Sequence, residues 1–146
     1  MLIFKIRMMK VLDMRTIRYS NIFYKVTKIR CKHCFDYNNS IVFAIPKKFV
    51  LKAIGRENSN LEKLNRIIGR KIRIIAIPDG REDLESFVAT LTKPVKFKGL
   101  EIKGDEVVIT ATTQSKASLI GKNKVRLNEM QDILGQYFGI KKVWIK

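Results

Sequence analysis

The sequence holds one histidine, His33, two cysteines, Cys31 and Cys34, three prolines and one tryptophan among 146 residues. One histidine leaves no Ser-His-Asp set to assemble, and no GxxxxGK phosphate loop occurs. A structural zinc site normally takes four ligands. Cys31-Lys32-His33-Cys34 has no second CxxC or HxxxH to complete it. A thioredoxin-like pair opens a helix after a strand, whereas Phe35-Asp36-Tyr37-Asn38-Asn39 reads as strand and turn. Two ordinary thiols or an occasional disulfide are expected, the alternative being a metal shared between two molecules. No cofactor is implied. No apolar run approaches the ~20 residues of a membrane span. The N-terminal run Met1–Met9 is broken by Lys5 and Arg7 and lacks a small-residue cleavage site. A cytoplasmic location without membrane association is expected, with residues 1–14 as an N-terminal extension whose Met8, Met9 and Met14 allow a later start.

Acidic residues are scarce too: 13 Asp and Glu face 30 Lys and Arg, a formal charge of +17. Hydrophobic residues make up 46%, enough for a folded core. So basic a chain accumulates on polyanions by releasing the counterions condensed on phosphates. Nucleic acid is the first partner to expect and an anionic membrane surface the second. Residues 1–78 hold 18 Lys/Arg against 4 Asp/Glu, and residues 79–146 hold 12 against 9. The first half carries most of the field.

A shift of 66 residues lays one half of the chain on the other. Ile41-Val42-Phe43 then meets Val107-Val108-Ile109, and Ile54-Gly55 meets Ile120-Gly121. The helical stripe Leu61, Leu64, Ile67, Ile68 meets Leu127, Met130, Ile133, Leu134. Beyond it the second copy is about four residues longer. Each copy reads as helix, strand, strand, helix, glycine turn, helix, strand. The first predicts helix 15–27, strands 29–37 and 40–45, helix 47–54 opened by Pro46, a helix that Ser59 and Glu62 start as a capping box and Gly69 ends, and strand 71–77. Pro78-Asp79-Gly80 marks the boundary, giving domains 15–78 and 79–146. The second predicts helix 82–92, strands 95–102 and 106–112, helices 114–120 and 125–138, and strand 142–145. Helices alternating with short strands argue for α/β layers, helices packed on one face of a small sheet.

The repeated feature is a glycine-opened turn between two helices: Ile54-Gly55-Arg56-Glu57-Asn58 and Ile120-Gly121-Lys122-Asn123-Lys124. Glycine lets a phosphate approach the backbone, and the following helix offers the positive end of its dipole. A single-stranded nucleic acid can cross such a turn with its bases over the adjoining helix and strand. A plain glycine helix cap without ligand is the alternative for either turn. Glu57 opposes a phosphate at the first, whereas Lys116, Lys122, Lys124 and Arg126 surround the second, so the second is expected to clamp better. The open surface of the first half (Lys47, Lys48, Lys52, Arg56, Lys63, Arg66, Arg70) is expected to attract RNA. Glu82, Asp83 and Glu85 beside a turn read as complements to a helix dipole rather than an acid/base pair. Tyr137 and Phe138 extend a helix stripe and read as core, with Trp144 a further aromatic able to stack a base.

These turns resemble the G-x-x-G loop of the KH family, and the element order resembles its prokaryotic variant. Two such modules in about 140 residues are similar to the archaeal NusA-like transcription termination factors. Ile17-Arg18-Tyr19, Ala53-Ile54-Gly55, Ile120-Gly121-Lys122-Asn123, Arg126-Leu127-Asn128 and Tyr137-Phe138-Gly139-Ile140 carry the likeness, across residues 9–146. The last loop glycine is replaced by Asn58 and Lys124. The resemblance implies two tandem type II KH domains, each a three-stranded mixed sheet with helices on one face. It implies a non-enzymatic RNA-binding factor that contacts nascent single-stranded RNA and RNA polymerase or the elongation complex. The site residues it implies are Gly55, Arg56, Asn58 and Lys52 in the first module. In the second they are Gly121, Lys122, Asn123, Lys124, Lys116 and Arg126. Two other classes stand beside it. One is a KH-fold protein-interaction module docking on polymerase or ribosome. The other is a nuclease or RNA-modifying enzyme, for which no carboxylate cluster is visible.

Overall fold

Ser40-Ile41-Val42-Phe43-Ala44-Ile45 has no charged residue, and such a run suits a strand flanked on both sides. In the computed structural model, which describes residues 14–31 and 33–146, all six are buried. All but the last residue of the expected N-terminal extension lies outside the described residues; Met14 begins the first helix. The chain divides after Ile77 into two units.

The first unit runs α1 (Met14–Thr27), β1 (His33–Tyr37), β2 (Ser40–Ile45), a 3-10 turn at Lys47–Phe49, α2 (Val50–Ile54), α3 (Ser59–Ile68) and β3 (Lys71–Ala76). β1 pairs antiparallel with β2 through the Asn38-Asn39 turn, and β2 pairs parallel with β3, so β2 is central. A parallel return cannot be made by a tight turn, and residues 46–70 supply the crossover that contains α2 and α3. Phe23 of α1 and Phe43 of β2 stack at 4.5 Å. Ile41, Ile45, Ala53, Leu64, Ile72 and Ile74 complete the core around them.

The second unit repeats this order: α4 (Leu84–Thr92), β4 (Gly99–Lys103), β5 (Glu106–Thr110), α5 (Thr113–Ile120), α6 (Val125–Phe138) and β6 (Lys142–Ile145). β5 is central, antiparallel to β4 and parallel to β6. Its core joins Leu84, Val88 and Leu91 to Val107, Ile109, Leu119, Met130 and Leu134. The fold is α/β, two tandem KH-like units each with a three-stranded mixed sheet. At 14 residues α6 exceeds the 10 of α3, and its last turn brings Tyr137 and Phe138 to 5.3 and 5.7 Å from Phe87.

Differences from expectation lie at element ends. The first strand starts at His33 rather than 29, because the buried Thr27 hydroxyl donates to Phe23 O and accepts from the Ile29 amide. That closes α1 with Lys28 left-handed. At the end of α4 the Thr92 hydroxyl is shared between Val88 O and Val95 O, and the next strand starts at Gly99 rather than 95. The Ser59–Glu62 capping box does not form. Asn58 holds the N-cap position in the left-handed conformation, and the Ser59 amide donates to Arg56 O. Thr112 is a side-chain cap that the sequence reading missed, accepting from the Ser115 amide at 3.2 Å. Asp83 is not a dipole complement only: its carboxylate accepts the Asp79 amide and so fixes the Pro78-Asp79-Gly80 turn.

Two clamps tie sequence-distant elements. Asp36 of β1 pairs with Arg15 of α1 at 3.0 Å and with Arg70, just after α3, at 3.2 Å. Arg81 donates to Gly104 O in the β4–β5 turn and to Phe138 O at the end of α6. Arg70, one of the cations expected to attract RNA, is thus paired with Asp36 within its unit.

Cys31 donates to His33 O, and burial pushes its thiol up to about 11. Burial likewise pushes Cys34 up to about 12. Among the described residues no group of three or more His, Cys, Asp and Glu is placed to hold a metal. The thiolate is the reactive species, so at pH 8 Cys31 should react with an aromatic disulfide reagent about 100-fold more slowly than a thiol at the ordinary value of 9.0. Stopped-flow absorbance in native and denatured protein checks this. Both folded values are raised, so the thiols' contribution to stability is complete below about pH 9 and is lost as the pH climbs towards 11 and 12.

Candidate nucleic-acid interface

The joint between α2 and α3, and between α5 and α6, is a four-residue loop with one backbone shape. Gly55 has φ 83°, ψ 166° and Gly121 φ 74°, ψ 169°. Only glycine ordinarily occupies this region. The next-but-one residues, Glu57 and Asn123, and the last, Asn58 and Lys124, are all left-handed. Corresponding angles agree to within 10° at these three positions. The missing final glycines have not changed the shape; Asn58 and Lys124 adopt it at a cost that is small for asparagine and larger for lysine.

A Cβ on Gly55 would meet Ser59 Oγ at 2.7 Å and Asn60 N at 2.9 Å. On Gly121 it would meet Arg126 Cβ at 2.8 Å. The next helix thus rises directly against each glycine. The loops also close on themselves. The amides of Asn58 and Lys124 donate to Gly55 O and Gly121 O at 3.2 Å. Those of Ser59 and Val125 donate to Arg56 O and Lys122 O. Fewer helix-start amides face outward than the sequence argument supposed, so charge at the loop rests on side chains.

Those side chains differ between units. Lys122, Asn123 and Lys124 are all exposed. Lys116 is half-buried on α5. Arg126 is half-buried and pairs with Glu129 at 3.8 Å, so part of its charge is spent inside the unit. In the first unit Arg56 and Lys52 are exposed, with Glu57 between Arg56 and Asn58 in the loop. Asn60 donates to Lys52 O, tying α3 back to α2. Leu51, beside Lys52, is 83% exposed.

Below the first loop, α3 and β3 frame an open groove of about 500 Å³ lined by Leu61, Glu62, Asn65, Arg66, Lys71 and Ile72. Its apolar members are Leu61 and Ile72; Arg66 and Lys71 are exposed cations. Of these residues the sequence reading used only Arg66 in the site, as one cation of an open surface. The groove depends on the register of β3 against α3, for which spacing in the chain carries no signal. Trp144, on β6, is 48% exposed; its indole donates to Glu106 at 2.6 Å and Lys142 lies 5.0 Å over its ring. Tyr137 and Phe138 pack on Phe87, as their stripe suggested.

No family model matches the chain. It is 23% identical over 127 residues to a probable transcription termination protein NusA of Methanococcus vannielii, covering 84% of this chain and 72% of that one. The crystal structure of APE1850 matches with a TM-score of 0.62 and 26% identity, covering 89% of this chain and 96% of that one. The chain is thus similar to an archaeal NusA across both units, as its loops and element order suggested.

Gly121→Ala should lower stability by about 1–3 kcal/mol, since it strains a glycine-only conformation and drives a methyl against Arg126. Lys124→Gly should leave stability unchanged or raise it by up to about 1 kcal/mol, relief of the left-handed lysine outweighing glycine's extra chain entropy. Urea denaturation followed by circular dichroism reads both.

Proposed function

We propose that the protein binds single-stranded RNA across both loops and acts as a transcription factor on elongation or termination. The observation that carries this reading is the recurrence of one glycine-opened loop shape in two units of a chain with net charge +17. Phosphates cross the loops, and bases lie over the adjoining helix and strand. Lys122 and Lys124 make the second loop the stronger phosphate clamp. The first unit adds long-range attraction through Lys47, Lys48, Lys52, Arg56, Lys63 and Arg66, all exposed. Binding by electrostatics and backbone shape needs no catalytic group, so the role is that of a regulatory factor and not an enzyme.

The link to transcription termination is supported by the name of the Methanococcus vannielii relative. Among the described residues no helix is long and apolar enough to cross a membrane.

Fluorescence anisotropy with a random-sequence single-stranded RNA across a salt series tests the reading. Lys122→Glu/Lys124→Glu should weaken binding at least tenfold at low salt and flatten the salt dependence. Arg56→Glu should weaken it less. If both variants bind as the wild type does, the loops are helix caps only, and docking of the KH-like units on a protein partner becomes the better account.

A further inference from the structure

The two units differ where a base would meet the edge strand. Residues alternate along a strand in the side to which their backbone groups point. The Ile77 amide donates to Ile45 O, across to β2, and the Lys146 amide donates to Ile109 O, across to β5. By that alternation the amides of Ile72 and Val143 point to the outer edge of their sheets. The positions correspond: Ile72 sits opposite Ile41, and Val143 opposite Val107, which the repeat aligns.

The helix beside each edge carries a side-chain amide at the same place, Asn65 after the buried Leu64 and Gln131 after the buried Met130. Gln131, one methylene longer, reaches the strand, and its Oε1 accepts the Val143 amide at 3.1 Å. Asn65 turns the other way and donates to Arg70 O at 2.9 Å. On its side the groove of Leu61, Glu62, Arg66, Lys71 and Ile72 stands open.

From this we infer that base identity is read only in the α3–β3 groove of the first unit, and that Gln131 occupies the equivalent edge of the second with the protein's own side chain. The inference rests on the RNA-binding reading above. An outer strand edge offers N–H and C=O groups in the plane that a base edge requires. Leu61 gives the base an apolar neighbour, while Arg66 and Lys71 hold the flanking phosphates. In the second unit the amide at that register already has an acceptor. What is left there is Lys122 and Lys124, which grip phosphate whatever the base. The protein thus divides its work, one unit for sequence and one for grip, although the basic loop belongs to the second.

The test compares anisotropy dissociation constants of the full chain for ten-nucleotide oligo(A), oligo(C) and oligo(U). Wild type should separate the best from the worst oligomer by about fivefold or more, the worth of one net hydrogen bond. Asn65→Gln, an exposed helical site that should tolerate glutamine, should shrink that separation to below about twofold. Its urea midpoint should match that of wild type, which shows that the fold is kept. Lys122→Glu/Lys124→Glu should weaken all three oligomers together and keep their ratio. Gln131→Ala should free the Val143 amide, speed its hydrogen exchange and move the ratio away from that of wild type by about twofold or more. Equal wild-type affinities, a ratio unchanged in Asn65→Gln, or a ratio lost in the lysine variant would each overturn the inference. Wild type that binds no RNA at all would instead sink the functional reading beneath it.

Discussion

Parallel pairing of β2 with β3, and of β5 with β6, governs the architecture of both units. A strand that must run in the same direction as its neighbour has to be carried back the length of the sheet before it pairs. Two helices do this in each unit, one outward and one returning, and the reversal between them has only four residues. That reversal demands a backbone that ordinary residues avoid, so glycine stands at Gly55 and Gly121 with a helix close against it. The glycines are therefore required by the fold before any ligand is considered.

Charge is then distributed around this fixed shape in ways a count cannot reveal. Arg15 and Arg70 serve Asp36, Arg81 serves two backbone carbonyls, and Arg126 serves Glu129. The first half is richer in cations, yet its loop carries Glu57, while the less charged half presents Lys122 and Lys124 at the tip of its loop. The larger number of cations and the more basic loop thus belong to different units.

Most of the fold was legible in the sequence because it rests on local patterns. Helix 125–138 and strands 40–45 and 142–145 were bounded by periodicity, by Gly139 and by β-branched runs, and the structure agrees. Boundaries failed where one side chain redirects the backbone, as Thr27 and Thr92 do, since a threonine hydroxyl bonded to a carbonyl looks like any other threonine in a sequence. The loops were legible from their glycines, but the left-handed Lys124 was not, because lysine carries no bias towards that conformation. The α3–β3 groove and the Gln131–Val143 bond join residues whose approach depends on strand register and helix length together. The pairing of Arg70 with Asp36 and of Arg126 with Glu129 was not legible for a similar reason: a cation's partner is set by tertiary placement.

Lengthening α6 relative to α3 shows how such a repeat can diverge. The four added residues amount to about one helical turn, or roughly 400° of rotation. The buried stripe through Met130, Ile133 and Leu134 keeps facing the sheet and simply continues to Phe138. An insertion of two residues would have swung the following stretch by about 200° and turned its apolar side to water. Duplicated modules of this kind are thus free to grow in whole turns and resist growth in fractions of one. The extra turn gave the second copy its Phe87, Tyr137 and Phe138 cluster, a patch of core for which the ten-residue helix of its twin has no room.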